Sequence, residues 1–336
     1  MIFYHPDCDL RFSDYGIEIP IEDDRARLVF NYLKILYPNL SFTNLDTLSE
    51  ITRSDLELVH KKEYVDKLFG SYAELEKAML SAYELVDESG NWNRYNPKNA
   101  KFDFSFARKV ILSQSAMTYE SSKAALESGF SYYLGGGMHH AMSFTGRGFC
   151  LINDIAIAIA KMQKENLIKH AWVVDVDAHK GDGTAEIFEH NENVSTLSIH
   201  MQKGWPLNSG TESDPWFIAN NIDIGILPGE EETYLVKLLA GLLSMENTRA
   251  WPDLVIIVNG ADPFEADELE SAKEIKLSKE IMLERDMMLY NFFKDSHIPQ
   301  SYVMAGGYGK RSWEIYAQFL EFVGKNSSEG AIVSSR

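Results

Sequence analysis

The chain has 336 residues, 45% of them hydrophobic, with 32 basic against 50 acidic side chains and a formal net charge of −18. That balance disfavours nucleic acid as a direct partner, because phosphates are repelled, and suits cationic partners such as lysine-rich segments or polyamines. The absence of an apolar run of about 18 residues or of a signal-like N-terminus excludes an expected membrane span, and Cys8 and Cys150, lacking CxxC spacing, exclude a disulfide framework or thiolate metal site. A cytoplasmic location is the simplest expectation.

In chain order, Ile2-Tyr4 opens as a strand, and Glu22 to Leu36 reads as a helix that stops before Pro38. Ser54 to Val86 carries apolar residues at helical spacing, with Leu56, Val59, Tyr64, Leu68, Leu75 and Met79 on the pattern. A polar loop, Asn91 to Asn99, holds Trp92, Tyr95 and Pro97, and its aromatics are candidates to line a pocket mouth. The helix Phe104 to Glu127 then leads into the strand Phe130-Leu134. Helices follow at Asn153–Glu165, Gly183–His190, Glu231–Leu243, Leu277–Phe293 and Trp313–Val323. Between them fall strands at Ala171–Val176, Val194–Ile199, Asn221–Ile226, Leu254–Val258 and Tyr302–Ala305. Continuous apolar strands such as Val255-Ile256-Ile257-Val258 suit a parallel sheet covered by helices. With no repeat or linker in view, the expectation is a single α/β domain over 1–336, an open parallel sheet with helices on both faces.

Polar residues gather just after four of these strands: Gly135 to His140, Asp175 to His179, Asp262, and Gly306-Gly307-Tyr308. In open parallel sheets that C-terminal edge is where ligands bind. Asp175, Asp177 and His179 share one side while the chain stays extended, and Asp177 and His179 can still turn toward a common ion from a loop. With Asp262 they offer carboxylate and imidazole ligands in threes, which leaves a position open for water or substrate. His139-His140 follow three glycines, whose freedom lets both rings face one cleft; beside a metal site they read as acid/base groups. Asp175 and Asp182 are candidates to fix their tautomers. Tyr308, flanked by glycines, has a phenol able to donate to a polarised carbonyl.

In combination these stretches resemble the histone deacetylase family of the arginase-deacetylase fold. The matching residues are Gly135-Gly137 with His139-His140-Ala141, Gly148-Phe149-Cys150-Leu151-Ile152-Asn153-Asp154, Asp175 to Thr184, Asn259-Gly260-Ala261-Asp262, and Gly306-Gly307-Tyr308. The resemblance implies a metal-dependent deacylase with Zn²⁺ held by Asp177, His179 and Asp262, Fe²⁺ being compatible with the same ligands. His140 paired with Asp182 is implied as general base, and His139 paired with Asp175 as electrostatic support or acid. Tyr308 is implied as the oxyanion donor, and Phe149 beside Gly148 as one wall of a narrow acyl-lysine channel. A structural K⁺ is implied among Asp175, Asp177, His179, Ser198 and Ile199.

Departures fall at Lys180, where a second histidine is usual, at Gly16 to Arg27, and at Met201 to Thr211, where Trp205 is the candidate for the facing wall. The implied substrate is an acetyl-lysine peptide or protein. The rival is an acetylated polyamine, since polyamine-selective relatives can carry glutamate where Leu269 falls, and Glu268 is one residue away. A non-catalytic acyl-group reader is a third reading. An arginase-type enzyme needs more metal ligands than Ala141-Met142 supply.

Overall fold

A computed structural model of the chain describes residues 1–207, 213–214 and 216–326. Strands form at β1 (Ile2–Phe3), β2 (Phe130–Tyr133), β3 (Ala171–Asp175), β4 (Val194–Met201), β5 (Ile222–Ile226), β6 (Leu254–Val258) and β7 (Gln300–Val303). All pair in parallel, in the order β1-β2-β7-β6-β3-β4-β5. The helices are α1 (Arg25–Leu36), α2 (Arg53–Leu56), α3 (Lys62–Phe69), α4 (Tyr72–Ala82), α5 (Phe104–Ser128), α6 (Asp154–Lys164), α7 (Asp182–Phe188), α8 (Tyr234–Thr248), α9 (Lys279–Asp295) and α10 (Trp313–Asn326). This is the parallel α/β sheet that the apolar strands imply. No helix among the described residues is long and apolar enough to cross a membrane.

The alternation of side chains along β2 and β7 explains how both faces are covered. Ser131 and Ser301 stand in register and bond through their hydroxyls to Ser121 and Ser122 of α5. Their neighbours Tyr132 and Tyr302 turn to the other face, where their rings lie 5.6 Å apart at 11° and pack against Phe319 of α10. Small hydroxyl residues let α5 approach the sheet closely, while large rings fill the wider space under α10. A layer of α8, α9, α10 and α1 completes that second face.

The stretch Ser54 to Val86 is not one helix. Gly70 ends α3, and Ser71 with Glu74 forms a capping box that restarts the chain as α4, the Ser71 N–H donating to Glu74 Oε2 at 2.8 Å. Between α2 and α3 the chain breaks off to hold the loop of residues 141–153. His60 is buried there, with Nδ1 2.9 Å from the Met142 carbonyl and Nε2 accepting the Asn153 N–H at 3.0 Å. Nearby, the Tyr64 hydroxyl donates to the Leu151 carbonyl at 2.6 Å. His60 is therefore satisfied as a neutral ring.

Burial lowers the His60 imidazole to about 4, against the pull of the Met142 and Ser143 carbonyls. Between that value and the ordinary 6.5 the unfolded chain binds the extra proton, so this contribution is complete above 6.5 and fades as pH falls toward 4. In urea titrations the stability of the wild type relative to His60→Gln should fall by on the order of 3 kcal/mol between neutral pH and pH 4.

Candidate active site

The sheet edge is set by turns that leave four neighbouring strands, β2, β7, β6 and β3, at their C-terminal ends. After β2 the chain must turn sharply, and Gly136 and Gly137 adopt φ of 68° and 85°, the left-handed region that favours glycine. A Cβ on Gly137 would stand 2.7 Å from the Ala305 Cα, so the turn packs directly on the end of β7. Asp154, the first residue of α6, anchors it. Its carboxylate accepts the N–H of Met138 at 2.7 Å, the N–H of Gly137 at 3.0 Å, and the Thr118 hydroxyl.

His139 and His140 emerge from this turn with ring centroids 3.9 Å apart. His139 Nδ1 lies 2.6 Å from Asp175 Oδ2, and His140 Nδ1 lies 2.7 Å from Asp182 Oδ1. Each carboxylate thus fixes one nitrogen and leaves Nε2 for chemistry. The two rings diverge electrostatically. Burial and the neighbouring His139 charge lower His140 to about 3 despite Asp182. Burial also works against His139, but Asp175 and Asp177 outweigh it and push that ring up to about 9. The higher proton affinity of the pair therefore lies with the ring beside Asp175 and Asp177, and the lower with His140.

β3 ends at Asp175, so Asp177 and His179 reach the site from the following loop rather than from the strand. They meet Asp262, which follows β6, and the ligand-capable atoms of the three lie within 4.8 Å of one another. His179 Nδ1 is 2.9 Å from Asp262 Oδ2 and 3.2 Å from Asp177 Oδ1. Burial alone would lower this imidazole; hydrogen bonds to Asp177 and Asp262 instead push it up to about 10. Asp262 is pushed up to about 6 by burial and by the Asp177 charge. Positive charge is demanded at the point where the three converge, and their donor set of two carboxylates and one imidazole fits a divalent cation. Gly306 keeps the space open, since a Cβ there would meet Asp177 Oδ2 at 2.4 Å and Asp262 Oδ2 at 2.8 Å.

Two arginines, one buried and one partly exposed, brace this centre from behind. Arg285 of α9, fully buried, donates from one nitrogen to the Val176 carbonyl at 3.0 Å and the Gly260 carbonyl at 2.9 Å, tying the two ligand-bearing loops together. Arg25 of α1 donates to the Ala305 and Gly307 carbonyls at 2.6 and 2.7 Å and fixes the loop that carries Tyr308. Asp267 accepts the Tyr308 N–H at 2.7 Å and the Leu269 N–H at 2.8 Å. Burial, with Asp262 and Asp177 nearby, holds the Tyr308 phenol well above its ordinary value, so it remains a hydrogen donor.

A cavity lined by Phe149, Trp205, Leu269 and Tyr308 leads to His140 and His179. Phe149 and Gly148 both adopt positive φ, 64° and 56°, and the Phe149 ring stands edge-on to Tyr308 at 6.3 Å. A left-handed phenylalanine is a strained arrangement that surrounding structure must enforce; here its N–H bonds to the Ala82 carbonyl at 3.0 Å. Trp205 stands edge-on to His140 at 4.5 Å and to His179 at 5.8 Å. Leu269 enters the lining, whereas Glu268 turns aside to accept the Lys310 N–H at 3.3 Å. The mouth is completed by Glu84 and Arg94, while Trp92 stays exposed and Tyr95 stacks on Phe104, so the aromatics of the loop 91–99 do not form it. Asn208 to Thr211 of the Trp205 loop lie outside the described residues.

Ser198 stands beside Asp175 in the β3–β4 register, with Ile199 next along β4. Lys180 points away from the convergent trio and pairs with Asp223. Sequence reading missed Asp154, Arg25 and Arg285 as supports, and also Ser271, whose hydroxyl lies 3.2 Å from His179 Nε2. The capping position of Asn153-Asp154 was the one available signal for the first of these.

The histone deacetylase domain model matches residues 19–320. The chain belongs to the histone deacetylase family. It is 25% identical over 318 residues to the acetoin utilization protein AcuC of Staphylococcus aureus, an alignment covering 90% of this chain and 77% of that one. An uncharacterised protein of Picosynechococcus is 34% identical over 152 residues, 45% of this chain and 48% of that relative, so the match spans about half of its length. Among solved structures, the HDA15 HD domain superposes with a TM-score of 0.71 at 21% identity, covering 98% of this chain and 92% of that one. An acetylpolyamine aminohydrolase from Burkholderia pseudomallei gives 0.69 at 18% identity over 99% of each chain. Both share the fold.

With Nδ1 of His179 facing the carboxylates, Ser271 is placed to hold the opposite nitrogen and hence the ring. Ser271→Ala should weaken divalent-metal affinity about tenfold, measured by competition with a chromophoric chelator, and Ser271→Thr should retain it.

Proposed function

We propose that the chain is a single-domain, metal-dependent deacylase that removes acetyl or another acyl group from lysine side chains of proteins or peptides. The observation that carries this reading is the meeting of Asp177, His179 and Asp262 with the His139–Asp175 and His140–Asp182 pairs and Tyr308 at the end of one channel. Asp177, His179 and Asp262 would hold Zn²⁺ or Fe²⁺. When bound, the ion supplies Lewis acidity toward the acyl oxygen and lowers the pKa of water.

The chain's own groups do the rest. His140, neutral and fixed by Asp182, takes the proton of the attacking water at Nε2. His139, protonated and fixed by Asp175, supplies positive charge beside the developing tetrahedral centre and a proton for the departing amine. Because the rings are in contact, they titrate as a coupled pair. The Tyr308 phenol donates to the oxyanion as it forms. Phe149, with Gly148, and Trp205 grip the aliphatic stem of the substrate, and Leu269 closes the lining with an apolar side chain. Asp175, Asp177, His179, Ser198 and Ile199 form the proposed K⁺ shell, through side-chain and carbonyl oxygens. A cytoplasmic location and no direct nucleic-acid contact accompany this reading.

An acetylated polyamine is the second reading: the charge of −18 suits either cationic substrate, and Glu84 in the cavity lining favours the polyamine. Leu269 in the lining, with Glu268 turned aside, supports lysine over polyamine. With its ligand set and acid/base pairs intact, the chain has little of the character of a non-catalytic reader.

Turnover of an acetyl-lysine peptide should exceed that of N-acetylputrescine and N-acetylspermidine in the metal-loaded protein, and Asp262→Asn should abolish it. A preference for the polyamines would move the substrate to the second reading, and absence of turnover with all of them would sink the deacylase reading. Tyr308→Phe should lower kcat about 10²–10³-fold with KM little changed.

A further inference from the structure

Arg147 touches both halves of the site without reaching the convergent trio. One guanidinium nitrogen donates to Asp182 Oδ2 at 3.0 Å, while the other oxygen of the same carboxylate holds His140 Nδ1 at 2.7 Å. Asp182 is fully buried, so without Arg147 one of its oxygens loses a charged partner in a dry place. The guanidinium carbon lies over two indoles, 4.9 Å from the Trp205 ring centre and 4.6 Å from that of Trp216. The same Trp205 ring forms the channel wall and stands edge-on to His140. Arg147 is itself held by a tight pair of backbone bonds with Cys150, its N–H donating to that carbonyl at 3.0 Å and its carbonyl accepting at 2.9 Å. Between these bonds lie Gly148 and Phe149, the opposite part of the channel.

We propose that Arg147 is a positioning residue that orients the Asp182 carboxylate toward His140 and fixes the Trp205 wall in the same stroke, so that channel and proton-transfer pair are aligned as one unit. This rests on the deacylase reading above. The role requires a flat, multiply donating cation: an ammonium in its place can reach the carboxylate or sit on an indole, but cannot present a plane to both rings while bonding in that plane.

The test uses the metal-loaded 336-residue chain and four variants: Arg147→Met, Arg147→Lys, Arg147→Ala and, for assignment, His140→Gln. Arg147→Met should lose about 10–100-fold in kcat while chelator competition finds its metal affinity unchanged. Arg147→Ala should recover about tenfold with added methylguanidinium and not with methylammonium. A kcat for Arg147→Met within about threefold of wild type, or equal rescue by the two cations, overturns the proposal. Should Arg147→Met fail to fold, Arg147→Lys decides: a loss of about tenfold in kcat supports the role and wild-type turnover overturns it.

If the wild type turns over no acyl amide, the deacylase reading fails and the positioning role is read by proton NMR instead. The downfield Nδ1–H resonance of His140, assigned by its loss in His140→Gln, should shift or broaden in Arg147→Lys. An unchanged resonance there overturns the proposal.

Discussion

The constraint on which this architecture turns is the neutralisation of carboxylates that have no water to face. Asp175, Asp177, Asp182 and Asp262 are all buried within one sheet edge. Isolated charges in such a place cost several kcal/mol each, so each carboxylate must be paired and hydrogen-bonded. The solution is distributed. Asp175 and Asp182 take one histidine each, Asp182 takes Arg147 as well, and Asp177 and Asp262 share His179 with backbone N–H groups of Gly306 and Ala178. With His179, this last pair presents a donor set of two carboxylates and one imidazole that could hold a cation.

Holding such a centre requires rigid backbone, and the chain obtains it from side chains reaching across the fold. Arg285 spans the loops after β3 and β6, Asp154 ties the glycine turn after β2, and Arg25 fixes the segment after β7. All three bond to main-chain groups, which makes the loop paths insensitive to the mobility of exposed side chains. The strained backbone at Phe149 fits the same pattern: an unfavourable local conformation is kept because the carbonyl of Ala82 and the Arg147–Cys150 pairing leave no other path.

Much of this was legible in the sequence because polar residues after continuous apolar strands have few structural explanations. Asp177, His179, Asp262 and the His139-His140 pair stood out on that ground, and the strands themselves were placed to within a few residues. The supports were hidden for equally physical reasons. Arg285-Asp286 sits at helical spacing among polar residues and reads as a solvated face, yet α9 turns that face into the sheet edge. Arg25 opens a helix whose sequence gives no sign that its first turn meets a strand end from the far side of the chain. The break at Gly70 was written in the Ser71–Glu74 capping box, but the continuing apolar spacing obscured it. Whether Leu269 or Glu268 enters the channel depends on one residue of loop register, which only three-dimensional packing decides.

The purely parallel sheet also has a consequence for how the molecule comes into being. Every strand pair is closed by a crossover, and His179 meets Asp262 across 83 positions of sequence. Loops of that length must close before their contacts repay the lost chain entropy, so the fold belongs to the slow, non-local class. No fragment ending before β6 contains the convergent trio, and a nascent chain emerging from the ribosome can assemble it only after Asp262 has been synthesised. A divalent ion held by this trio, as proposed above, would therefore bind the finished sheet rather than organise its early stages.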